Sequence, residues 1–283
     1  MKLAMVFPGQ GSQSMGMAAG YDAHPVVRRT FAEASEVLGQ DVWSLVSDGP
    51  VEELNRTVNT QPVMLTADVA VYRAWGEHGG GKASMLAGHS LGEYAALVAA
   101  GALSFADALP LVRFRAQAMQ DAVPQGVGAM AAVMGLDDAA VAAACDEARQ
   151  GQVVDPVNFN APGQVVIAGH KEAVERTIAA AKDLSTVEIS APSTPVLHNV
   201  DVRSAVTAQA VRDALARQAA NPVRWAETVQ AFQASGVTHI VECGPGTVLS
   251  GLCRRIAPDI EILPTNDGDA LQVAIDATRA SEG

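Results

Sequence analysis

Gly88-His89-Ser90-Leu91-Gly92-Glu93 reads G-x-S-x-G, and its flanks limit the possible folds more than any other stretch of the chain. Ala83-Ser84-Met85-Leu86-Ala87, just before it, is short and apolar enough for a buried strand. Glu93 to Ala100, just after it, is a run of good helix formers that stops at Gly101. Strand, sharp turn and helix is the setting that lifts a serine hydroxyl to a helix N-terminus. The glycines admit the tight turn. The helix dipole and the Leu91 N–H then face any oxyanion forming on an acyl group carried by Ser90. A chance Gly-Ser-Gly turn has no such frame, so Ser90 is the candidate nucleophile.

An elbow of this kind needs a parallel sheet, and the pattern on both sides supplies one. Leu3 to Phe7 is an apolar first strand, followed by the glycine-rich loop Pro8 to Gln13. Gln61 to Trp75 has helical spacing, and a further helix runs from Ser104, its cap, to about Ala122. Later come a strand-like Pro195 to Val202, helices at Thr207–Ala220 and Trp225–Ala234, and a buried strand at Thr238–Cys243. Gly244-Pro245-Gly246 then turns into a helix from Thr247 to Ile256.

Between Gly126 and Lys182 the rhythm changes to strand (Ala129–Met134), helix (Asp137–Arg149), strand (Val153–Phe159), strand (Gln164–Ala168) and helix (Lys171–Lys182). The two central strands are joined by a turn at Asn160-Ala161-Pro162-Gly163. These are five parts of the six-part ferredoxin-like unit, and the last strand is missing. The expected fold is therefore α/β, with a discontinuous parallel-sheet domain over residues 1–125 and 187–283. A ferredoxin-like small domain over 126–186 is inserted in it.

Composition narrows the function classes. A formal net charge of −12 argues against broad nucleic-acid binding. No apolar run approaches the ~18 residues of a membrane span, and the N-terminus breaks at Pro8-Gly9, too early for a signal segment. Cys145, Cys243 and Cys253 have no metal or redox spacing, and their odd number fits reduced thiols in the cytoplasm. We expect no metal site. Gly76 to Lys82 mimics a phosphate loop, but Ala83 has no hydroxyl for magnesium and the loop leads from helix into strand. Gly244-x-Gly246 lacks the third glycine and the following half of a dinucleotide fold.

Gln10 comes after a strand in a loop of glycines, placed either to lend its N–H to an oxyanion hole beside Leu91 or to serve as a plain solvent turn. Arg113 and Arg115 lie on an otherwise apolar helix. Each is open to two readings: a structural ion pair, or a guanidinium fork for a substrate carboxylate. None of the histidines (His24, His78, His89, His170, His198, His239) is a convincing base for Ser90.

Together these residues resemble the malonyl-CoA:acyl carrier protein transacylase family. The resemblance rests on FPGQGSQ at Phe7–Gln13, TQP at Thr60–Pro62, GHSLGE at Gly88–Glu93 and LVRFRAQAMQ at Leu111–Gln120. It continues through NFNAPGQVVIAG at Asn158–Gly169, HNVD at His198–Asp201, RQAANPVRW at Arg217–Trp225 and ECGPGTVLSGL at Glu242–Leu252. It implies a hydrolase-like large domain with a ferredoxin-like insertion. It also implies transfer of malonyl from malonyl-CoA to acyl carrier protein through Ser90, with no cofactor.

By the same resemblance, Gln10 and Leu91 form the oxyanion hole and Arg115 holds the malonyl carboxylate. Gln61 and Asn160 line or brace the site, and the Gln218 carbonyl orients a catalytic histidine. Arg254 and Arg255 come after the Gly-Pro-Gly turn near the site mouth, where an acidic carrier protein would dock; a helix C-terminus favouring cations accounts for them equally well. The family's histidine-bearing loop and final small-domain strand have no counterpart here. The join falls near Lys182-Asp183. A serine hydrolase on the same elbow and a carrier-binding domain without catalysis are the competing functions.

Overall fold

The computed structural model describes residues 1–283 except 22, 123–129, 135, 149–153, 169–186, 220 and 281–283. Its first half runs β1 (Leu3–Phe7), α1 (Pro25–Leu38), α2 (Val42–Ser47), α3 (Val51–Leu54), α4 (Thr57–Glu77), β2 (Met85–Gly88), α5 (Gly92–Ala99) and α6 (Phe105–Ala122). The small unit contributes β3 (Met130–Met134), α7 (Asp138–Ala148), β4 (Asp155–Ala161) and β5 (Gln164–Ala168). The remainder is β6 (Val196–Leu197), α8 (Ala208–Gln218), α9 (Trp225–Ala234), β7 (His239–Glu242), α10 (Val248–Ile256), β8 (Glu261–Pro264) and α11 (Gly268–Ala280).

The main sheet has the order β6-β2-β1-β7-β8, and every pairing in it is parallel. Strand β1 explains why helices cover both faces. All five of its residues are buried. Leu3, Met5 and Phe7 belong to one apolar cluster, while Ala4 and Val6 belong to another on the opposite face. That is the continuous apolar run of a strand buried on both sides. Because the strands are parallel, the loops after β1, β2, β6 and β7 all emerge at one edge, where ligands bind in open α/β sheets.

The second sheet is antiparallel, with order β3-β5-β4. It has its own small core of Val141, Cys145 and Val165. A ferredoxin-like unit places its fourth strand beside its first, which here is the outer edge of β3, a position no strand occupies among the described residues. The expected helix from Lys171 to Lys182 and the expected gap at Lys182-Asp183 lie outside the described residues.

Two predicted boundaries move. Pro195–Val202 contributes only Val196 and Leu197 to the sheet. After Leu197 the chain folds back, with the Val202 N–H bonded to the His198 carbonyl at 2.9 Å and Val202 at φ 56°. The turn between β4 and β5 shrinks to Pro162-Gly163, because Asn160 and Ala161 continue the strand. Ser104 caps α6 as expected, accepting the Asp107 N–H at 3.0 Å. Strand β8, not anticipated in the sequence, closes the far edge of the main sheet.

His24 and His78 join the start of α1 to the end of α4 through ring nitrogens 2.8 Å apart. Burial, and then the neighbouring His78 ring, push the His24 imidazole below its ordinary value. A group with a depressed folded-state value binds fewer protons in the native chain than in the unfolded one. Its contribution to stability is therefore present above about pH 6.5 and lost as pH falls. Relative to His78→Gln, the Tm of the wild type should fall between pH 7 and 5.5, because the variant lacks the His78 ring that helps to depress His24. Parallel slopes would remove the pair as the cause.

Candidate functional site

The elbow is built as its glycines require. Ser90 sits at φ 51°, a strained value for a side-chain-bearing residue and one that marks functional turns. A β-carbon at Gly88 would overlap the backbone of Gly92, and one at Gly92 would overlap the Phe7 carbonyl. Strand, elbow helix and the end of β1 therefore approach more closely than any other residue allows. Gly9 presses against the His89 carbonyl, where a β-carbon would lie 2.5 Å away. This brings the Pro8–Gln13 loop against the elbow.

Among the described residues, the backbone N–H groups of Leu91 and Gln10 make no hydrogen bond, while the Ser90 N–H is taken by Asn199 Oδ1 at 2.7 Å. Both donors are therefore unspent, one on the elbow and one on the loop that packs against it. Gln10 itself is exposed, and its side-chain amide donates to Thr57 Oγ1 at 3.3 Å.

One side chain reaches the Ser90 hydroxyl among the described residues. Arg115, from α6, places Nη2 at 3.1 Å from Ser90 Oγ. Its Nη1 donates to Gln61 Oε1 at 2.7 Å, and the guanidinium carbon lies 5.7 Å from the centre of the Tyr94 ring. Gln61 is 1% exposed, so its amide is fixed, and its Nε2 rests on Met119 Sδ at 3.3 Å. No carboxylate pairs with Arg115 there, and its Nε–H is buried without an acceptor. The fork keeps donor capacity that an ion pair would have used. Arg113 behaves differently: it donates to the Leu38 carbonyl at 2.9 Å and to the Gln40 side chain, closing the C-terminal end of α1. Neutral oxygens, not an acid, are its partners.

Behind the serine lies a buried polar network that the sequence did not disclose. Glu93, in the first turn of α5, is wholly buried. Its carboxylate accepts from His198 Nδ1 at 2.7 Å, the Asn199 N–H at 3.0 Å and Gln218 Nε2 at 2.9 Å. Asn199 grips the elbow from both sides, donating from Nδ2 to the Gly88 carbonyl at 2.6 Å and accepting the Ser90 N–H. The register explains this reach: Leu86 and Ala87 of β2 pair with Val196 and Leu197 of β6, so the residues leaving the two strands sit side by side.

Gln218 contributes its side chain as well as its backbone. Nε2 also donates to the Ser90 carbonyl at 2.9 Å, and Oε1 receives Arg115 Nη2 at 3.5 Å. Its own carbonyl accepts only a long bond from the Asn221 N–H at 3.5 Å, among the described residues. Asn160 braces rather than lines the site: its Oδ1 meets His89 Nε2 at 2.8 Å. His89 stands edge-on to Trp225, and burial holds its imidazole below the usual range, against the pull of Asn160. A neutral ring turned toward β4 is not the serine's base. Arg254 and Arg255 are exposed in the last turn of α10; Arg254 reaches the Ile262 carbonyl at 3.1 Å and Arg255 reaches Gln164 of β5.

An elbow serine with a cation beside its hydroxyl is the arrangement that acyl-transfer chemistry calls for, and residues 4–189 match the acyl transferase domain family. The malonyl CoA-acyl carrier protein transacylase of Escherichia coli strain K12 is 50% identical, over 97% of this chain and 99% of that protein. The solved acyl-carrier-protein S-malonyltransferase of Burkholderia pseudomallei superposes with a TM-score of 0.91 at 51% identity, covering 98% of this chain and all of that one. A malonyl-transacylase solved in complex with a type II PKS acyl-carrier protein superposes at 0.92 with 48% identity, over 98% and 100% of the two chains. The chain belongs to the malonyl CoA-acyl carrier protein transacylase family. The alignment with the E. coli relative spans 306 positions, whereas 97% of 283 residues is about 275. Roughly thirty positions of that relative thus have no counterpart here.

Proposed function

We propose that this chain moves a malonyl group from malonyl-CoA to the phosphopantetheine thiol of an acyl carrier protein through an ester on Ser90. The observation that carries this reading is Arg115 Nη2, held 3.1 Å from Ser90 Oγ and braced by Gln61. A fixed guanidinium beside the nucleophile suits an acyl group with a free carboxylate at its far end. Ser90 Oγ attacks the thioester carbonyl, the C–S bond breaks, and CoA leaves as the thiol, taking up the proton the serine gives up. The carrier's thiol then attacks the ester, the O–C bond breaks and the Ser90 hydroxyl re-forms. Leu91 and Gln10 N–H groups face the oxyanion in both halves.

One thioester is exchanged for another, so the cycle calls for no cofactor. In the family the sequence resembles, the first proton acceptor is a histidine on the segment that has no counterpart at Lys182-Asp183, and Gln218 is the proposed orienter of such a histidine. We place the reaction in the cytoplasm, in keeping with three buried cysteines that form no disulfide. Among the described residues no helix is long and apolar enough to cross a membrane.

Incubating the purified chain with malonyl-CoA and a holo carrier protein should place malonyl on the carrier's thiol. Free malonate as the main product would make the chain a hydrolase, and carrier binding with no transfer would make it a docking domain.

The carrier is proposed to dock at Arg254 and Arg255. The chain is itself acidic, so a local basic pair must offset the general repulsion. Reversing both charges should slow transfer to carrier in a salt-dependent way and spare the formation of malonyl-Ser90. Unchanged carrier-dependent rates would put the docking surface elsewhere.

A further inference from the structure

The most unusual buried group outside the serine network is Asp68. It lies in the middle of α4, is 0% exposed, and neither carboxyl oxygen has a hydrogen-bond partner among the described residues. Gln61, which braces Arg115, precedes it by two helical turns on the same face. The Asp68 carboxyl points at the edge of the sheet where the β1 and β7 loops meet. A β-carbon on Gly244, at φ 143°, would overlap Asp68 Oδ1 and lie 2.9 Å from both Cγ and Cδ of Pro8. Pro8 has no N–H to offer the carboxyl. The Gly244 N–H is directed to Thr265 Oγ1 at 3.4 Å. Pro8 opens the loop whose Gly9 packs on His89 and whose Gln10 N–H is free. The carboxyl, the proline ring and the elbow are therefore stacked in series.

We propose that Asp68 is a positioning residue for this site: its buried, unpartnered carboxyl, packed against the Gly244 turn beside Pro8, seats the Pro8–Gln10 loop, and a charge placed there unseats that loop. The groups around it favour the neutral form. Glu242, at the end of β7, accepts the N–H groups of Leu249 and Ser250 at 3.0 and 2.7 Å, and its charge opposes a second one nearby. Cys243 rests its thiol on the Asp68 carbonyl at 3.8 Å, and burial, then Asp68 and Glu242, push that thiol up. Tyr21 is bonded to the Thr265 carbonyl, with Asp267 beyond it and His24 edge-on to its ring; Tyr72 lies one turn further along α4. Arg254 acts on Glu242, and no cation is among the groups that act on Asp68. Burial, reinforced by Glu242, holds the Asp68 carboxyl well above the usual carboxylate range.

Proton counting gives the sign of the effect. A carboxyl with a raised folded-state value keeps its proton in the native chain after the unfolded chain has released it. Stability is complete below about pH 4 and declines as pH rises toward the folded-state value. Asp68→Asn does not titrate. Its advantage over wild type in the folding constant should therefore grow by about tenfold per pH unit within that window. Working above pH 7 keeps this effect apart from the acid-side loss expected of His24.

The test compares wild type with Asp68→Asn, and with Asp68→Leu as a second non-titrating variant, by three measurements across pH 7 to 9. These are urea unfolding, hydrogen exchange of the peptide spanning residues 8–13 corrected for intrinsic rates, and single-turnover acylation by malonyl-CoA. We expect the stability gap to widen with pH. Loop protection and acylation should decline toward alkaline pH in wild type only. A pH-independent stability gap, or an alkaline decline shared by a non-titrating variant, overturns the proposal. The kinetic arm rests on the malonyl-transfer reading, whereas unfolding and exchange do not. Absent acylation in all three proteins would thus count against that reading and leave the other two measurements to decide the role of Asp68.

Discussion

Ser90→Ala should leave no malonyl ester on the protein and lower transfer by on the order of 10⁴- to 10⁶-fold, the range seen when one member of a serine-enzyme catalytic unit is removed. The geometry makes this substitution unusually clean. Everything that anchors Ser90 in the fold is main chain: its N–H on Asn199, its carbonyl accepting from Gln218 and from the Glu93 N–H. Alanine at φ 51° bears the same left-handed strain as serine, so the turn itself is not penalised further. The hydroxyl's contact is with Arg115, which retains Gln61 after the change. Intact mass spectrometry after mixing with malonyl-CoA reads the ester, and thermal unfolding reads the fold. An ester persisting at unchanged stability would mean that another residue carries the acyl group. A collapse in Tm would mean that the hydroxyl has a structural role not visible in its contacts.

Legibility in the sequence divides along a physical line. Local signals held up: the apolar run of β1, the glycines of the elbow and the Ser104 cap of α6. Each depends on backbone chemistry within a few residues. The parallel sheet was legible because strands alternate with helices, although β8 was not, being short and directly before a helix.

Side-chain partnerships across the sheet were out of reach. Glu93 reads as an ordinary acidic residue in a first helical turn, yet it gathers His198, Asn199 and Gln218 from segments more than 100 residues away. Asp68 reads as one polar break on an apolar helix, and only the fold shows it to be wholly buried. Arg113 and Arg115, two residues apart on one helix, looked equivalent. Their separation into a helix-closing arginine and one beside the nucleophile is set by what α1 and α5 present to each.

Replacing Arg115 by alanine should therefore reduce malonyl transfer far more than acetyl transfer. Losing one partner of a buried, hydrogen-bonded charge pair costs about 2–5 kcal/mol, or about 30- to 4,000-fold in rate if the contact is made in the transition state. Acetyl-CoA has no carboxylate to lose, so its rate isolates whatever Arg115 does for Ser90 Oγ alone. The guanidinium has the means for both tasks: Nη1 is spent on Gln61, Nη2 is shared between the hydroxyl and a long contact to Gln218, and Nε–H is unpaired. A carboxylate arriving at this fork would gain donors without displacing an existing anion, and the expected preference for a free acid rests on that. Arg115→Lys should fall between alanine and wild type, because an ammonium keeps the charge and loses the planar pair of donors. Competition between malonyl-CoA and acetyl-CoA in one reaction gives the ratio directly. A malonyl-to-acetyl preference that survives Arg115→Ala would assign the carboxylate to another residue and leave Arg115 as a support for the serine hydroxyl.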